Sequence, residues 1–251
     1  MIDFVGAGSG AVDLITVRGA KLLEQADVVI YAGSLVNPEL LEYCSPDCEI
    51  HNSASMTLEE VIEVMKAAEA AGKNTVRLHT GDPSLYGAIR EQMDLLDEAG
   101  LEYAVCPGVS SFCGAAAALK AEYTLPDVSQ SVIITRMDGR TPVPAGEKLR
   151  LMASHGCTMV LFLSTSLLEA AQEELIAGGY APDTPAAIVD KATWPDERVY
   201  HCTVATLAET AKANNVTKTA LMCIGGFLGD AYDRSKLYAP PCTHMFRTAQ
   251  E

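Results

Sequence analysis

Short apolar runs recur along the chain, and the segments between them carry hydrophobic positions at helical spacing. Residues 2–5 and 26–32, the latter centred on Val28, Val29 and Ile30, read as strands. Between them, Ala20, Leu22 and Leu23 can line one face of a helix. Thr57 with Glu60 three residues on has the spacing of a capping box; Leu58, Val61, Ile62, Met65 and Ala68 then form an apolar stripe that ends at Gly72. Residues 75–78 and 103–106 predict two further strands. A helix is expected over 84–98, stopped by Gly100, and an alanine-rich one from Ser110 or Ser111 to Leu119. Continuous rather than alternating apolar strands favour a largely parallel sheet covered on both faces.

Beyond Leu125-Pro126-Asp127 the pattern becomes mixed. Strands are expected at 131–135, 158–162, 186–189, 199–202 and 220–224, and helices at 147–154, 167–177 and 204–213. Strand 199–202 comes soon after Trp194-Pro195-Asp196-Glu197, which points to a hairpin. The expected organisation is therefore α/β in two domains: 1–120 with a mainly parallel sheet, and 121–251 with a mixed one.

Composition narrows the function classes. Of 251 residues, 49% are hydrophobic, enough for one sizeable core or two. Lys and Arg number 18 against 33 Asp and Glu, a net charge of -15, which argues against a nucleic-acid partner but leaves room for a local basic patch facing an anion. The chain opens without a basic, apolar leader and has no apolar run near the roughly 20 residues that cross a bilayer, so a soluble cytoplasmic protein with no membrane partner is expected. Cys44, Cys48, Cys106, Cys113, Cys157, Cys202, Cys223 and Cys242 include no Cys-x-x-Cys pair. They read as reduced thiols, several of them in the core, with neither a metal site nor structural disulfides expected.

The candidate chemistry lies where strands end. Gly6-Ala7-Gly8-Ser9-Gly10 follows the first strand, but its glycine spacing is not the dinucleotide pattern, and no Gly-Lys-Ser/Thr follows. Gly81-Asp82-Pro83-Ser84 and Pro107-Gly108-Val109-Ser110-Ser111 follow two later strands, at the carboxyl ends where open sheets bind ligands. Each loop alone is equally consistent with a tight core turn, and Asp82 could simply cap the next helix with Pro83 at its first position. Two small, backbone-exposing loops at equivalent ends favour a site.

The ordered set of these motifs resembles the tetrapyrrole methylase family. The resemblance begins with Phe4 to Gly10 and Asp13-Leu14-Ile15-Thr16, continues through residues 22–29, and includes both later loops and Trp194-Pro195-Asp196-Glu197. Residues 31–37 and 80–87 resemble the branch that methylates C11 of precorrin-4, including the cobalt form of that substrate. The family's opening loop usually carries proline where this chain has Ser9, a departure that costs stiffness rather than a functional group. The resemblance implies a two-domain fold unlike the usual Rossmann methyltransferase. It also implies S-adenosylmethionine as methyl donor, S-adenosylhomocysteine as product, a donor site in the interdomain cleft, a small-molecule tetrapyrrole substrate and a homodimer. A methylase for another corrin position, or a noncatalytic tetrapyrrole-binding protein, are the alternatives.

Carried over by motif, the resemblance places Gly81, Asp82, Pro83, Leu85, Tyr86, Ser110, Ser111, Met137, Leu163, Ala187 and Ala220 at the donor. An activated sulfonium methyl asks chiefly for alignment. Asp82 is therefore expected to position polar groups of the donor or to hold its loop. If the macrocycle loses a proton, His79, Asp82 and Tyr86 are the catalytic candidates by location, and an ordinary histidine exchanges protons near neutrality; His79 equally reads as a satisfied residue at a strand end, and Tyr86 as a packing or hydrogen-bonding group. For the polycarboxylate substrate the candidates are Arg136 and Arg140, with Lys148, Arg150, Arg18, Arg90 and Lys191 as further cations, while Trp194 either lines the macrocycle trough or packs a domain or dimer contact.

Overall fold

Ile2 and Phe4 of strand β1 (Ile2–Gly6) are buried in one apolar cluster and Val5 in another, as the two-residue period of a strand requires. Strand β2 (Val28–Tyr31) repeats this, with Val28 and Ile30 on one face and Val29 on the other. The computed structural model describes residues 1–33 and 35–235; Ser34 of the 31–37 signature and Cys242 lie outside the described residues. Within them the chain forms two units, Met1–Ala115 with Lys191–Glu197, and Ala116–Asp190 with the chain from Arg198 on.

The first unit holds a five-stranded, wholly parallel sheet. Its remaining strands are β3 (Glu49–Asn52), β4 (Thr75–His79) and β5 (Tyr103–Cys106), and the order is β3-β2-β4-β1-β5. Helix α1 (Val17–Glu24) buries Leu23 against one face. Helices α2 (Leu58–Ala70) and α3 (Ile89–Glu98) bury Val61, Ile62, Met65, Ala68 and Leu96 against the other. Helix α4 (Ser111–Leu119) follows β5. The Thr57–Glu60 capping box forms as expected.

Two details depart from the sequence reading. Strand β3 was not expected: it is an edge strand of Glu-Ile-His-Asn with Ile50 half exposed, so it has no apolar run to announce it. Helix α3 begins at Ile89 rather than near Ser84, because Tyr86 (φ 57°) and Ala88 (φ 50°) adopt left-handed conformations that a helix cannot propagate. Asp82 does cap Ser84, but the turn it closes is not the start of the helix.

The second unit has a five-stranded mixed sheet of β6 (Val132–Arg136), β7 (Thr158–Phe162), β8 (Pro185–Asp190), β9 (Arg198–Thr203) and β10 (Ala220–Ile224). Its order is β6-β7-β10-β8-β9; only β6 and β7 are parallel, and β8–β9 is the expected hairpin. Helices α5 (Leu149–Ala153), α6 (Leu168–Gly178) and α7 (Leu207–Ala213) cover one face, packing Leu149, Leu175 and Leu207 onto Met159, Leu161, Ile188 and Met222. No helix among the described residues is long and apolar enough to cross a membrane.

Candidate active site

In the first unit β4, β1 and β5 are neighbours, so their carboxyl-end loops meet. The Ala7 amide donates to the His79 carbonyl at 2.7 Å, and Gly8 and Gly81 exchange backbone bonds of 3.3 and 2.9 Å. A Cβ on Gly6 would lie 2.5 Å from Gly108 Cα and 2.6 Å from the Gly81 oxygen; one on Gly108 would lie 2.2 Å from that same oxygen. Only glycine permits this three-layer stack of main chain.

Asp82 ties the stack together. One carboxylate oxygen accepts from the Ser84 amide at 2.9 Å and from the Ser84 hydroxyl; the other accepts from the Gly108 amide at 2.9 Å. Partial burial opposes ionisation, yet these bonds together outweigh it and hold the carboxyl below the usual aspartate value. Of its two expected roles, the geometry displays that of holding the loop. Pro83 and Ser110 are buried beside it, and Gly81 faces the Ser110 and Ser111 backbone, where a Cβ would approach Ser110 Cα to 3.4 Å. Leu85 is half-buried and Tyr86 exposed, on the turn whose left-handed residues interrupt the helix. Bulky residues in that conformation are uncommon and gather at functional sites.

His79 does not occupy the position expected of a proton carrier. Thr75, Arg77 and His79 share the face of β4 that packs toward Phe4, and all three are buried. The imidazole stacks on Phe4 with centroids 6.1 Å apart, and its Nε2 has no hydrogen-bond partner among the described residues. Burial, reinforced by the Arg77 charge, lowers its pKa to about 3, so the ring is neutral where an ordinary histidine titrates. Arg77 itself donates to Gln92 at 3.1 Å and to the Ile30 carbonyl at 3.2 Å, and burial lowers its pKa to about 10. The sequence reading missed this pair, because Arg77 sits unmarked inside a strand.

In the second unit, Met137 and Leu163 directly follow the parallel strands β6 and β7. The antiparallel pairing of Met222 with Leu161 brings Ala220 level with Leu163. These three residues lie at the same end of neighbouring strands. Ala187 pairs with Cys223 in the interior of β8 and is fully buried, so it lies away from that end. The Met137 side chain belongs to the core, and its amide donates to the buried Ser164 hydroxyl at 2.8 Å. Leu163 is 61% exposed with φ 50°.

The cationic candidates divide. The Arg136 guanidinium donates to the carbonyls of Met137, Thr141 and Pro142, so it holds its own loop. Lys148, Arg150, Arg90 and Lys191 pair with Asp138, Glu174, Asp94 and Asp196. Arg18 and Arg140 are exposed and make no ion pair among the described residues. Trp194 lies in the first unit against Gly10, where a Cβ would meet its ring at 2.3 Å.

Glycine loops stacked at the carboxyl ends of a parallel sheet define an α/β ligand-binding protein. Comparison with known proteins makes the class specific. Residues 1–208 match the family model of Tetrapyrrole (Corrin/Porphyrin) Methylases. The chain is 51% identical over 251 residues to the cobalt-precorrin-4 C(11)-methyltransferase of Methanocaldococcus jannaschii, covering 100% of this chain and 97% of that protein. It superposes with a TM-score of 0.89 and 48% identity on the X-ray structure of a cobalamin biosynthetic enzyme, cobalt precorrin-4 methyltransferase, covering 91% of this chain and 96% of that one. A uroporphyrin-III C-methyl transferase from Thermus thermophilus, solved in complex with S-adenosyl homocysteine, matches at TM-score 0.76 and 26% identity over 90% of this chain and 98% of that one. The chain belongs to the tetrapyrrole methylase family.

Proposed function

We propose that this protein is an S-adenosylmethionine-dependent methyltransferase of cobalamin biosynthesis that methylates C11 of precorrin-4, with the cobalt-containing form as its preferred substrate. The observation that carries this reading is full-length likeness at about half identity to a protein of that activity, 51% over 251 residues. The site geometry supports it. The first unit offers a floor of main chain from Gly6, Gly81 and Gly108 that a polar, extended donor can approach closely. Bound there, the donor would supply an activated methyl group on a sulfonium.

The protein's part is then alignment. Asp82 keeps the second and third loops in register through Ser84 and Gly108. Its oxygens are already engaged, and its lowered pKa makes it a weak proton acceptor. His79 is buried and neutral. We therefore assign proton removal from the macrocycle to a group other than these two, and take Tyr86 as an exposed contact of the reactants. Arg140 is proposed to meet a substrate carboxylate. The family resemblance also leads us to infer a soluble cytoplasmic homodimer, which light scattering of the purified chain would test.

The decisive experiment is a parallel assay of metal-free and cobalt-containing precorrin-4 with S-adenosylmethionine under strict oxygen exclusion. One added methyl by mass spectrometry, located at C11 by carbon-labelled NMR and formed faster on the cobalt substrate, is expected. Methylation at another carbon, or preference for the metal-free ring, overturns the corresponding part of the proposal.

A further inference from the structure

The β8–β9 connection, Lys191–Glu197, packs with the first unit although the strands on either side of it belong to the second. Thr193 is at its centre. Its hydroxyl shares a 3.0 Å hydrogen bond with Ser9 and accepts the Ala11 amide, also at 3.0 Å. Its methyl group faces α4, where a Cβ on Gly114 would come within 3.0 Å of it and 2.9 Å of Ser9. Next to it the Trp194 ring covers Gly10, while the buried Asn37 side chain donates to the Gly10 carbonyl at 2.9 Å. The opening glycine loop is thus held from two sides, and its Gly8 is the residue bridged to Gly81.

Holding Thr193 in this place carries a conformational cost. Its φ is 67°, a left-handed value that a β-branched residue seldom adopts. Such strain persists only where the surroundings over-determine it. Here they do: the Thr193 amide donates to the Glu197 carboxylate at 2.6 Å, the Trp194 amide to the Lys191 carbonyl at 3.0 Å, and Lys191 pairs with Asp196. A connection needed only to join two strands of a hairpin can be a tight turn of unstrained residues. This one places a hydroxyl where it satisfies Ser9 and the Ala11 amide together.

We propose that Thr193 is a positioning residue for methyl transfer: its hydroxyl holds the 6–11 loop in the shape that seats the donor against Gly81 and Asp82. The assignment rests on the methyltransferase reading. It acts through Ser9, Ala11 and the Gly8–Gly81 bridge.

The full-length chain carrying Thr193→Val keeps the branched shape that fits against Gly114 and loses the hydroxyl; Thr193→Ser keeps the hydroxyl and loses the methyl. S-adenosylhomocysteine affinity by calorimetry, kcat and the donor KM, and thermal unfolding are measured for both and for the unaltered protein. Thr193→Val is expected to weaken S-adenosylhomocysteine binding at least tenfold and to raise the donor KM more than it lowers kcat. Thr193→Ser is expected to stay within threefold of the unaltered protein even where its melting temperature falls further than that of the valine variant. The proposal is overturned if Thr193→Val binds and turns over within twofold, if the serine variant fails alongside it, or if both lose activity in step with melting temperature. Absence of S-adenosylhomocysteine binding by the unaltered protein removes the methyltransferase reading itself, and this assignment with it.

Discussion

Replacing His79 with phenylalanine tests the electrostatics beneath the candidate site. The folded imidazole is held at a pKa of about 3, while an unfolded histidine titrates near 6.5. The folded value is depressed, so above 6.5 both states are neutral and nothing is lost. As pH falls from about 6.5 toward 3, the unfolded chain gains a proton that the folded chain refuses, and stability declines. Between pH 7 and pH 5 this one group should remove about 2 kcal/mol of unfolding free energy, approaching ~1.4 kcal/mol per pH unit below pH 6. Phenylalanine can retain the stacking on Phe4, has no proton to gain, and removes a buried Nε2 that lacks a partner among the described residues. Urea unfolding followed by circular dichroism at pH 7, 6 and 5 would measure both proteins. The quantity to plot is the difference between them, which cancels every other titrating group common to the two chains. The stability of the native chain relative to His79→Phe should fall by about 2 kcal/mol between pH 7 and 5. Parallel curves would refute the reasoning, because they would mean that His79 titrates in the fold as it does in the unfolded chain.

Three further outcomes follow from the loops. Asp82→Ala strips the Gly108 amide and both Ser84 donors of their acceptor; S-adenosylhomocysteine affinity by calorimetry should drop tenfold or more while the thermal transition stays cooperative, and unchanged affinity with a collapsed transition would assign the residue to folding alone. Gly108→Ala drives a methyl into the Gly81 carbonyl at 2.2 Å and should destabilise by at least about 1–3 kcal/mol, whereas Gly146→Ala, with nothing among the described residues within 4 Å of its added Cβ, should not lower the melting temperature. Arg140→Ala should raise the macrocycle KM severalfold with the donor KM unaltered in steady-state assays; no change in the macrocycle KM would remove Arg140 from the substrate contact.

The strands were legible where burial is two-sided. Val28, Val29 and Ile30 form a continuous apolar run because both faces of β2 are covered. Strand β3 was not, since an edge strand needs no such run. The junction after Pro83 misled the reading because Tyr86 and Ala88 carry no side-chain mark of a left-handed turn, unlike a glycine. The three glycine loops were recognisable singly, but their stacking depends on β4, β1 and β5 being adjacent, an order that sequence spacing does not encode. The loop-holding bonds of Arg136 had no sequence signal, because the carbonyls that engage it belong to a loop whose course is visible only in the fold. Thr193 had no local signal at all: its partners Ser9 and Ala11 lie at the opposite end of the sequence.

Because Lys191–Glu197 belongs to the first unit, that unit is discontinuous in the chain. A ribosome delivers Met1–Ala115 several seconds before it delivers Thr193 and the Trp194 ring that covers Gly10, at ordinary rates of synthesis. The nascent sheet, with its Gly8–Gly81 bridge and the Asn37 bond to Gly10, can assemble in that interval, but the opening loop lacks its Thr193 and Trp194 contacts until the β8–β9 hairpin has been made. Completion of the opening loop's contacts is thereby tied to synthesis of the second unit, and a protein cut short before Lys191 would keep the Asp82 and Gly8–Gly81 ties but lose the grip of Thr193 on Ser9 and Ala11.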